Sequence, residues 1–278
     1  MIPFRKMNGL GNDFVVMDAR GHALPISGQA ARAIGDRVSG IGCDQIIVLE
    51  PSERADVTMR IWNNEGSEVE SCGNASRCIA DILFQETGHA TATIDTKGGF
   101  LSCTKAEHGL VTVDMGVPRF GWRDIPLSEP VEDTNRVPLV HAGLSEPSVV
   151  NVGNPHAIFW VEDAGAFDLA RIGPELEHHA LFPKRANISL AEVKSPDHII
   201  LHVWERGAGI TRACGTAACA VGVAAARIGH TGRDVRVTLP GGDLRIVWDE
   251  NDHIQMTGAV AYEFDGHLPE HLARLIPA

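Results

Sequence analysis

The chain repeats itself at half its length. Cys72-Gly73 opens CGNASRC and Cys214-Gly215 opens CGTAACA, 142 positions apart; Gly11-Asn12 and Gly153-Asn154 keep that spacing, and so do Trp62 and Trp204. Gly98-Gly99 with Leu101 returns as Gly241-Gly242 with Leu244, one residue out of frame. Several coincidences at one offset point to a duplicated domain rather than one continuous core. The copies run from Phe4 to Phe120 and from Ser145 to Tyr262, with a proline-containing stretch, Arg123 to Pro147, between them. The expected division is a first repeat domain over 1–120, joined by the C-terminal tail 264–278, and a second over 121–263. A chain of 278 residues suits two domains of about 140 residues each.

Both halves carry the same local signals. Short apolar runs after turn residues read as strands: Phe14–Met17, Gln45–Leu49, Val57–Trp62, Leu110–Met115, Ala157–Val161, Ile199–Trp204, Val235–Leu239 and Leu244–Trp248. Helical spacing is clearest after each Cys-Gly. Ala75, Cys78, Ile79, Ile82 and Leu83 share one face up to Gly88, a C′ glycine; Ala217, Ala218, Val221, Ala224, Ala225 and Ile228 do so up to Gly229. The second helix is apolar almost all round and is expected inside its domain. The fold class is therefore α+β (mixed α/β): two pseudo-symmetric duplicated domains, each a curled, mostly antiparallel sheet around a central helix.

Composition narrows the function. A net charge of −12, from 24 basic and 36 acidic residues, argues against a protein that tracks phosphates, so no nucleic-acid partner is expected. The longest apolar run, Ala217 to Ala226, is too short to span a bilayer, and the first residues lack the apolar core of a signal peptide. No membrane partner and a cytoplasmic location follow as expectations. Six cysteines spread over this length do not make a disulfide scaffold. Neither GxGxxG nor GxxxxGK[ST] occurs, and Cys72 with Cys78 or Cys214 with Cys219 lacks zinc spacing, so no cofactor and no metal are expected.

The chemistry lies in a cysteine at each helix start. Unpaired N–H groups and the helix dipole lower a thiol's pKa there and also attract anions, and the following glycine admits a ligand to the backbone. Cys72-Gly73-Asn74 and Cys214-Gly215-Thr216 each set an ionisable sulfur beside a carboxylate-sized cradle. Two thiols facing one carbon can remove a proton from one side and deliver one to the other, which inverts a stereocentre. One such cysteine alone reads better as a small buried side chain; two at matched repeat positions do not. Cys43, Cys78, Cys103 and Cys219 lack this setting and read as core.

These segments resemble the diaminopimelate epimerase family, amino-acid epimerases that work without pyridoxal phosphate. MNGLGNDFVVMD (7–18), GCDQ (42–45), RIWNNEGSEVESCGNASRC (60–78), NVGNPH (151–156), Ala186-Asn187, WERGAGITRACGTAACA (204–220) and PGGDLRIVW (240–248) occur in the family's order. The resemblance implies two pseudo-symmetric domains with the active site in the cleft between them, no cofactor, and Cys72 and Cys214 as the acid/base pair. It implies that Gly73, Asn74, Gly215 and Thr216 hold the carboxylate at the reacting carbon. Asn12, Gln45, Asn63, Asn154, Asn187, Glu205 and Arg206 match substrate-recognition positions, with Arg206 on the distal carboxylate, and His156 is a further matching position near the reacting centre. Ala75-Ser76, Ile210 and Ala217 depart from the commoner CGNGARC, ERGAGET and CGTGACA. None of these departures replaces a thiol or a recognition residue.

The expected reaction is the interconversion of LL- and meso-2,6-diaminopimelate in lysine and peptidoglycan precursor biosynthesis. The expected partner is thus a small-molecule amino acid, with a homodimer as the candidate assembly. Cys72 would be the base for the LL isomer and Cys214 the acid. A proline or hydroxyproline racemase would use a similar pair, but carries His after the first Cys-Gly and Ser-Pro before the second. Here those positions are Asn74 and Arg212-Ala213. A non-catalytic carboxylate-binding module, which would not need both thiols, and a pyridoxal-phosphate racemase, for which the few lysines lack a recognisable context, are the other readings.

Overall fold

Runs such as QIIVL, VTMRIW and IILHVW are rich in β-branched and large apolar residues and need both pairing and cover. A computed structural model, describing residues 1–70 and 72–277, makes them strands of a mixed α/β fold. In chain order the elements begin with β1 (Pro3–Gly9), β2 (Asn12–Asp18), α1 (Gly28–Gly35), β3 (Gln45–Glu50), β4 (Val57–Asn63), β5 (Glu68–Val69) and α2 (Gly73–Thr87). Then come β6 (Thr91–Thr96), β7 (Gly99–Lys105), β8 (Val111–Asp114), β9 (Val140–His141), β10 (Leu144–Ser145), β11 (Ser148–Asn151), β12 (Pro155–Trp160) and α3 (Leu169–Glu177). The chain ends through β13 (Asn187–Ser195), β14 (His198–Glu205), β15 (Gly209–Ile210), α4 (Gly215–Arg227), β16 (Asp234–Leu239), β17 (Gly242–Trp248), β18 (Ile254–Gly258), β19 (Ala261–His267) and α5 (Glu270–Ala273). It divides into two units, Met1–Val113 with Gly258–Ala278, and Asp114–Thr257.

In the first unit β1 pairs antiparallel with β2, β2 parallel with β3, β3 antiparallel with β4, and β4 parallel with β6, after which β6, β7 and β8 are antiparallel. Each parallel join needs a crossover, and a helix supplies it: α1 between β2 and β3, α2 between β4 and β6. The second unit repeats the order. β11 and β12 are antiparallel, β12 and β13 parallel across α3, β13 and β14 antiparallel, β14 and β16 parallel across α4, and β16 and β17 antiparallel. The repetition in the sequence is thus a repetition of topology, and antiparallel pairs predominate as expected.

Each unit wraps one helix. α2 packs against β1, β6 and β7, and α4 against β11, β12, β13, β16 and β17. The other face of the first sheet is covered by α1 and α5: Val15, Met17, Ile46, Val48 and Trp62 pack with Ile34, Leu268, Leu272 and Ile276. Because α4 is built of alanine, glycine and valine, its backbone lies close to the sheet. A Cβ at Gly222 would stand 2.9 Å from Ile246 Cγ2 and 3.2 Å from Val235 Cγ1. Gly222→Val should therefore destabilise the protein by about 1–3 kcal/mol through overpacking. A lowered urea midpoint with an unchanged m-value would register it.

The proline-containing stretch between the repeats packs within the second unit. Ile125, Leu127, Val137, Leu139 and Leu144 are buried with Val149, Phe159, Ile188, Leu190 and Leu176. The stretch is thus part of the second unit's core: its spaced apolar side chains cover the sheet beside α3 with little regular structure of their own. The first unit takes in the chain again from Gly258, and β19 pairs with β1 from His267 to Ala261. Among the described residues no helix is long and apolar enough to cross a membrane.

Candidate active site

In the first unit the chain reverses at Leu10-Gly11, both at positive φ (60° and 85°), and delivers Asn12 to the start of β2. Cys72 has extended backbone (φ −149°, ψ 108°) and caps α2; its Sγ accepts the Ala75 N–H at 3.5 Å. The first intrahelical bond runs from Ser76 N–H to the Cys72 carbonyl, so the N–H groups of Gly73 and Asn74 precede the helical ladder. Asn12 Oδ1 accepts from the Cys72 thiol at 3.7 Å and from Asn74 Nδ2 at 3.4 Å. Asn12 Nδ2 donates to Asp44 Oδ2 at 3.0 Å, and a carboxylate acceptor there turns the Asn12 carbonyl toward the sulfur. Asp44 sits in a charged cluster with Arg37, Asp13 and the buried Lys6. Burial would raise the Asp13 pKa, but hydrogen bonds from Arg37 and Lys6 outweigh it and hold the carboxyl well below its ordinary range. Nearby, Gln45 and Asn63 stand opposite in the β3–β4 register, with Gln45 Nε2 donating to Asn63 Oδ1 at 2.9 Å. Gln45 Oε1 is buried and accepts no hydrogen bond from the described residues.

The second unit builds the same corner with different side chains. Cys214 repeats the extended conformation (φ −130°, ψ 106°) ahead of α4, with its Sγ 3.5 Å from Thr216 Oγ1. Asn154, following Gly153 at φ 104°, donates through Nδ2 to Thr216 Oγ1 at 3.3 Å. Its Oδ1 lies 2.7 Å from His156 Nε2. Asn187 Nδ2 donates to the Pro155 carbonyl at 3.0 Å and its Oδ1 accepts the Arg206 N–H at 2.9 Å. Asn187 opens β13 as Gln45 opens β3, and the register that sets Ile188 against Trp204 matches that of Ile46 with Trp62. The Glu205 carboxylate accepts from Thr211 Oγ1, and Arg206, exposed at the turn, donates through Nη1 to the Lys184 carbonyl at 3.1 Å.

The electrostatics of Cys214 correct one expectation. A helix start should lower a thiol's pKa, yet burial raises that of Cys214 well above 9.0. The Glu205 carboxylate adds to the rise, and the Thr216 hydroxyl opposes it without prevailing. Cys214 is therefore a protonated thiol at neutral pH. His156 is driven the other way, down to about 3, by complete burial and by the Arg206 charge, so it is a neutral imidazole. Thiolate at Cys214 forms only above the ordinary thiol range, so its alkylation by iodoacetamide should still be accelerating at pH 9, with Glu205→Gln raising the rate at every pH. Peptide mapping of the labelled cysteine across pH checks this; a rate already level below pH 8 would contradict it.

The structure thus gathers Asn12, Cys72, Gly73 and Asn74 at one helix start, with Gln45 and Asn63 at the adjoining strand ends. It gathers Asn154, His156, Asn187, Glu205, Arg206, Cys214, Gly215 and Thr216 at the other. The remaining cysteines are core: Cys43, Cys78, Cys103 and Cys219 are fully buried, and burial pushes the thiols of Cys43 and Cys78 up to about 12. Ile210, one of the departures noted in the sequence, is exposed at the end of β15. Asp44, Thr211 and Glu177 were not singled out in the sequence. Extending the 142-residue offset from the cysteines to the polar strand ends, Gln45 with Asn187 and Asn63 with Glu205, would have pointed to their neighbourhood.

The sequence profile of the family described as diaminopimelate epimerase matches residues 4–121 and 148–263. A diaminopimelate epimerase of Rhodospirillum centenum is 54% identical over 97% of this chain and 93% of its own. One of Erythrobacter litoralis is 52% identical over 95% of this chain and 96% of its own. Among solved structures, a probable proline racemase from Agrobacterium radiobacter shares the fold, with a TM-score of 0.71 at 13% identity over 97% of this chain and 93% of that one.

Proposed function

The chain belongs to the diaminopimelate epimerase family, and from that premise we propose that it inverts one stereocentre of LL-2,6-diaminopimelate to give the meso isomer by a two-cysteine, two-base mechanism. The observation that carries the mechanism is the pair of matched helix starts, each an extended Cys followed by Gly, of which Cys214 is held as a thiol. The Cys72 thiolate takes the α-proton from one face; the electron pair left on carbon delocalises into the α-carboxylate; Cys214 gives its S–H proton to the opposite face. Cys72 ends as thiol and Cys214 as thiolate, and the reverse reaction exchanges the roles. Protons balance, and no cofactor takes part.

An α-hydrogen beside an ammonium and a carboxylate is a very weak acid, so the barrier must fall through stabilisation of charge on the carboxylate oxygens. The N–H groups of Gly73, Asn74, Gly215 and Thr216 at two helix N-termini, with the Thr216 hydroxyl, would supply it; one such donor is typically worth about 3 kcal/mol of barrier. Asn12, Gln45 and Asn63, with Asn154, Asn187, Glu205 and Arg206, would hold the rest of the substrate, Arg206 by a bidentate fork on the distal carboxylate. His156 would support Asn154 as a neutral ring. The product suits lysine and peptidoglycan precursor synthesis in the cytoplasm. A proline racemase activity is the second reading, favoured only by the shared fold.

Purified protein given LL-diaminopimelate in D2O tests the proposal: deuterium should enter the α-position as the meso isomer accumulates. Neither event with diaminopimelate, and turnover of proline instead, would overturn it.

A further inference from the structure

We infer that Glu177 is a positioning residue for substrate specificity: it fixes the turn that presents Arg206, and so sets how tightly the distal carboxylate is held. The inference rests on the function proposed above. Glu177 ends α3 with its side chain almost wholly buried. A carboxylate at a helix C-terminus meets the unfavourable end of the dipole, and burial adds a desolvation penalty, so the position is costly unless donors compensate. The two closest donors come from the end of β14 and the turn after it. Trp204 Nε1 donates to Glu177 Oε2 at 2.7 Å, and the Gly207 N–H donates to Oε1 at 3.0 Å. Arg185 reaches Oε1 from the solvent side at 3.4 Å.

The consequence falls on the residue in between. The Arg206 N–H is held by Asn187 and the next N–H, that of Gly207, by Glu177, so the backbone on both sides of the Arg206 Cα is anchored by buried side chains. Gly207 stands at φ +77°, a conformation that gives the turn its sharp exit. The indole that Glu177 grips is itself wedged: a Cβ at Gly173 would come 2.5 Å from Trp204, and one at Gly209 would lie 3.6 Å from it. α3 thus clamps β14 and β15 together through Trp204, and the guanidinium projects from a fixed base. At the matching place in the first unit α1 ends in Gly35, whose added Cβ would meet Asn64 at 2.7 Å, so that helix end meets its turn by close packing and brings no carboxylate to it; the turn's own Glu65 accepts from Asn63 and Ser67 instead. Glu177 belongs to the half that carries the arginine.

Glu177→Gln keeps the shape but offers one acceptor oxygen where two N–H donors converge. Its expected effect is a rise of about tenfold in KM for diaminopimelate with kcat within about threefold, the signature of lost binding rather than lost chemistry. An analogue without the distal carboxylate, such as L-lysine, should exchange its α-hydrogen in D2O at the same low rate in variant and wild type. Trp204→Phe, which removes one of the three donors and keeps an aromatic wedge, should raise KM less. Equal KM in wild type and Glu177→Gln, or a fall in kcat with KM unchanged, would overturn the inference. If Glu177→Gln unfolds, the Trp204→Phe comparison decides, a KM equal to wild type counting against it. Wild-type protein that fails to epimerise diaminopimelate would instead defeat the proposed reaction, which separates the two failures.

Discussion

Cys72→Ser and Cys214→Ser should each lose roughly three to four orders of magnitude in epimerisation while keeping the fold. Positioned acid–base groups typically contribute about 10²–10⁴ in rate, and a serine hydroxyl cannot supply the base at neutral pH. The two substitutions are informative because their structural effects are small and differ. Cys72 caps α2 weakly, its Sγ standing 3.5 Å from the Ala75 N–H; serine is a better cap, so this variant should melt no lower than wild type. Cys214 is buried beside Thr216 and Glu205, where a hydroxyl fits and finds acceptors. Activity by the appearance of the meso isomer, read with thermal midpoints, separates chemistry from folding. Substantial epimerisation by either variant would end the two-base mechanism.

Arg206→Met should lower kcat/KM for diaminopimelate by about a hundredfold or more, because truncating one partner of a desolvated charge pair typically costs about 2–5 kcal/mol. The loss should sit mainly in KM, since the distal carboxylate is remote from the carbon that reacts. Arg206→Lys should fall between the two, keeping charge but not the planar fork. The protein itself loses little: Arg206 is exposed and its side chain gives one hydrogen bond, to the Lys184 carbonyl, while its backbone N–H stays on Asn187. Initial rates over a range of substrate concentrations check the split; an unchanged KM would take the distal role away from this residue.

Helix starts and ends were legible because their signals are local. Gly88 stands at φ +73° after α2, and Gly229 at φ +77° after α4, as capping chemistry requires. The duplication was legible because it needs only matching letters. What depends on distant partners was not. β1, PFRKMNG, carries two cations and a weak alternation, yet it is paired on both sides, by β2 and β19. Lys6 in that strand is buried because Asp13 and the Gly42 carbonyl take its charge, and nothing within the strand announces them. The thiol of Cys214 shows the same limit: the helix dipole is a local effect, but burial and Glu205 are tertiary effects, and they win. Glu177 was invisible for a third reason, since its partners lie around thirty residues away across a turn.

The return of the chain to its first unit sets an order of assembly. The second unit is continuous from Asp114 to Thr257. The first lacks a strand until β19 reaches β1, and its α1 face lacks Leu268, Leu272 and Ile276 until the last residues arrive. The earlier-made half therefore depends on the last-made segment to pair its strand edge and cover its apolar face, whereas the later-made half is built from one continuous stretch. The half that is translated first cannot be completed until the chain from Gly258 onward has been made.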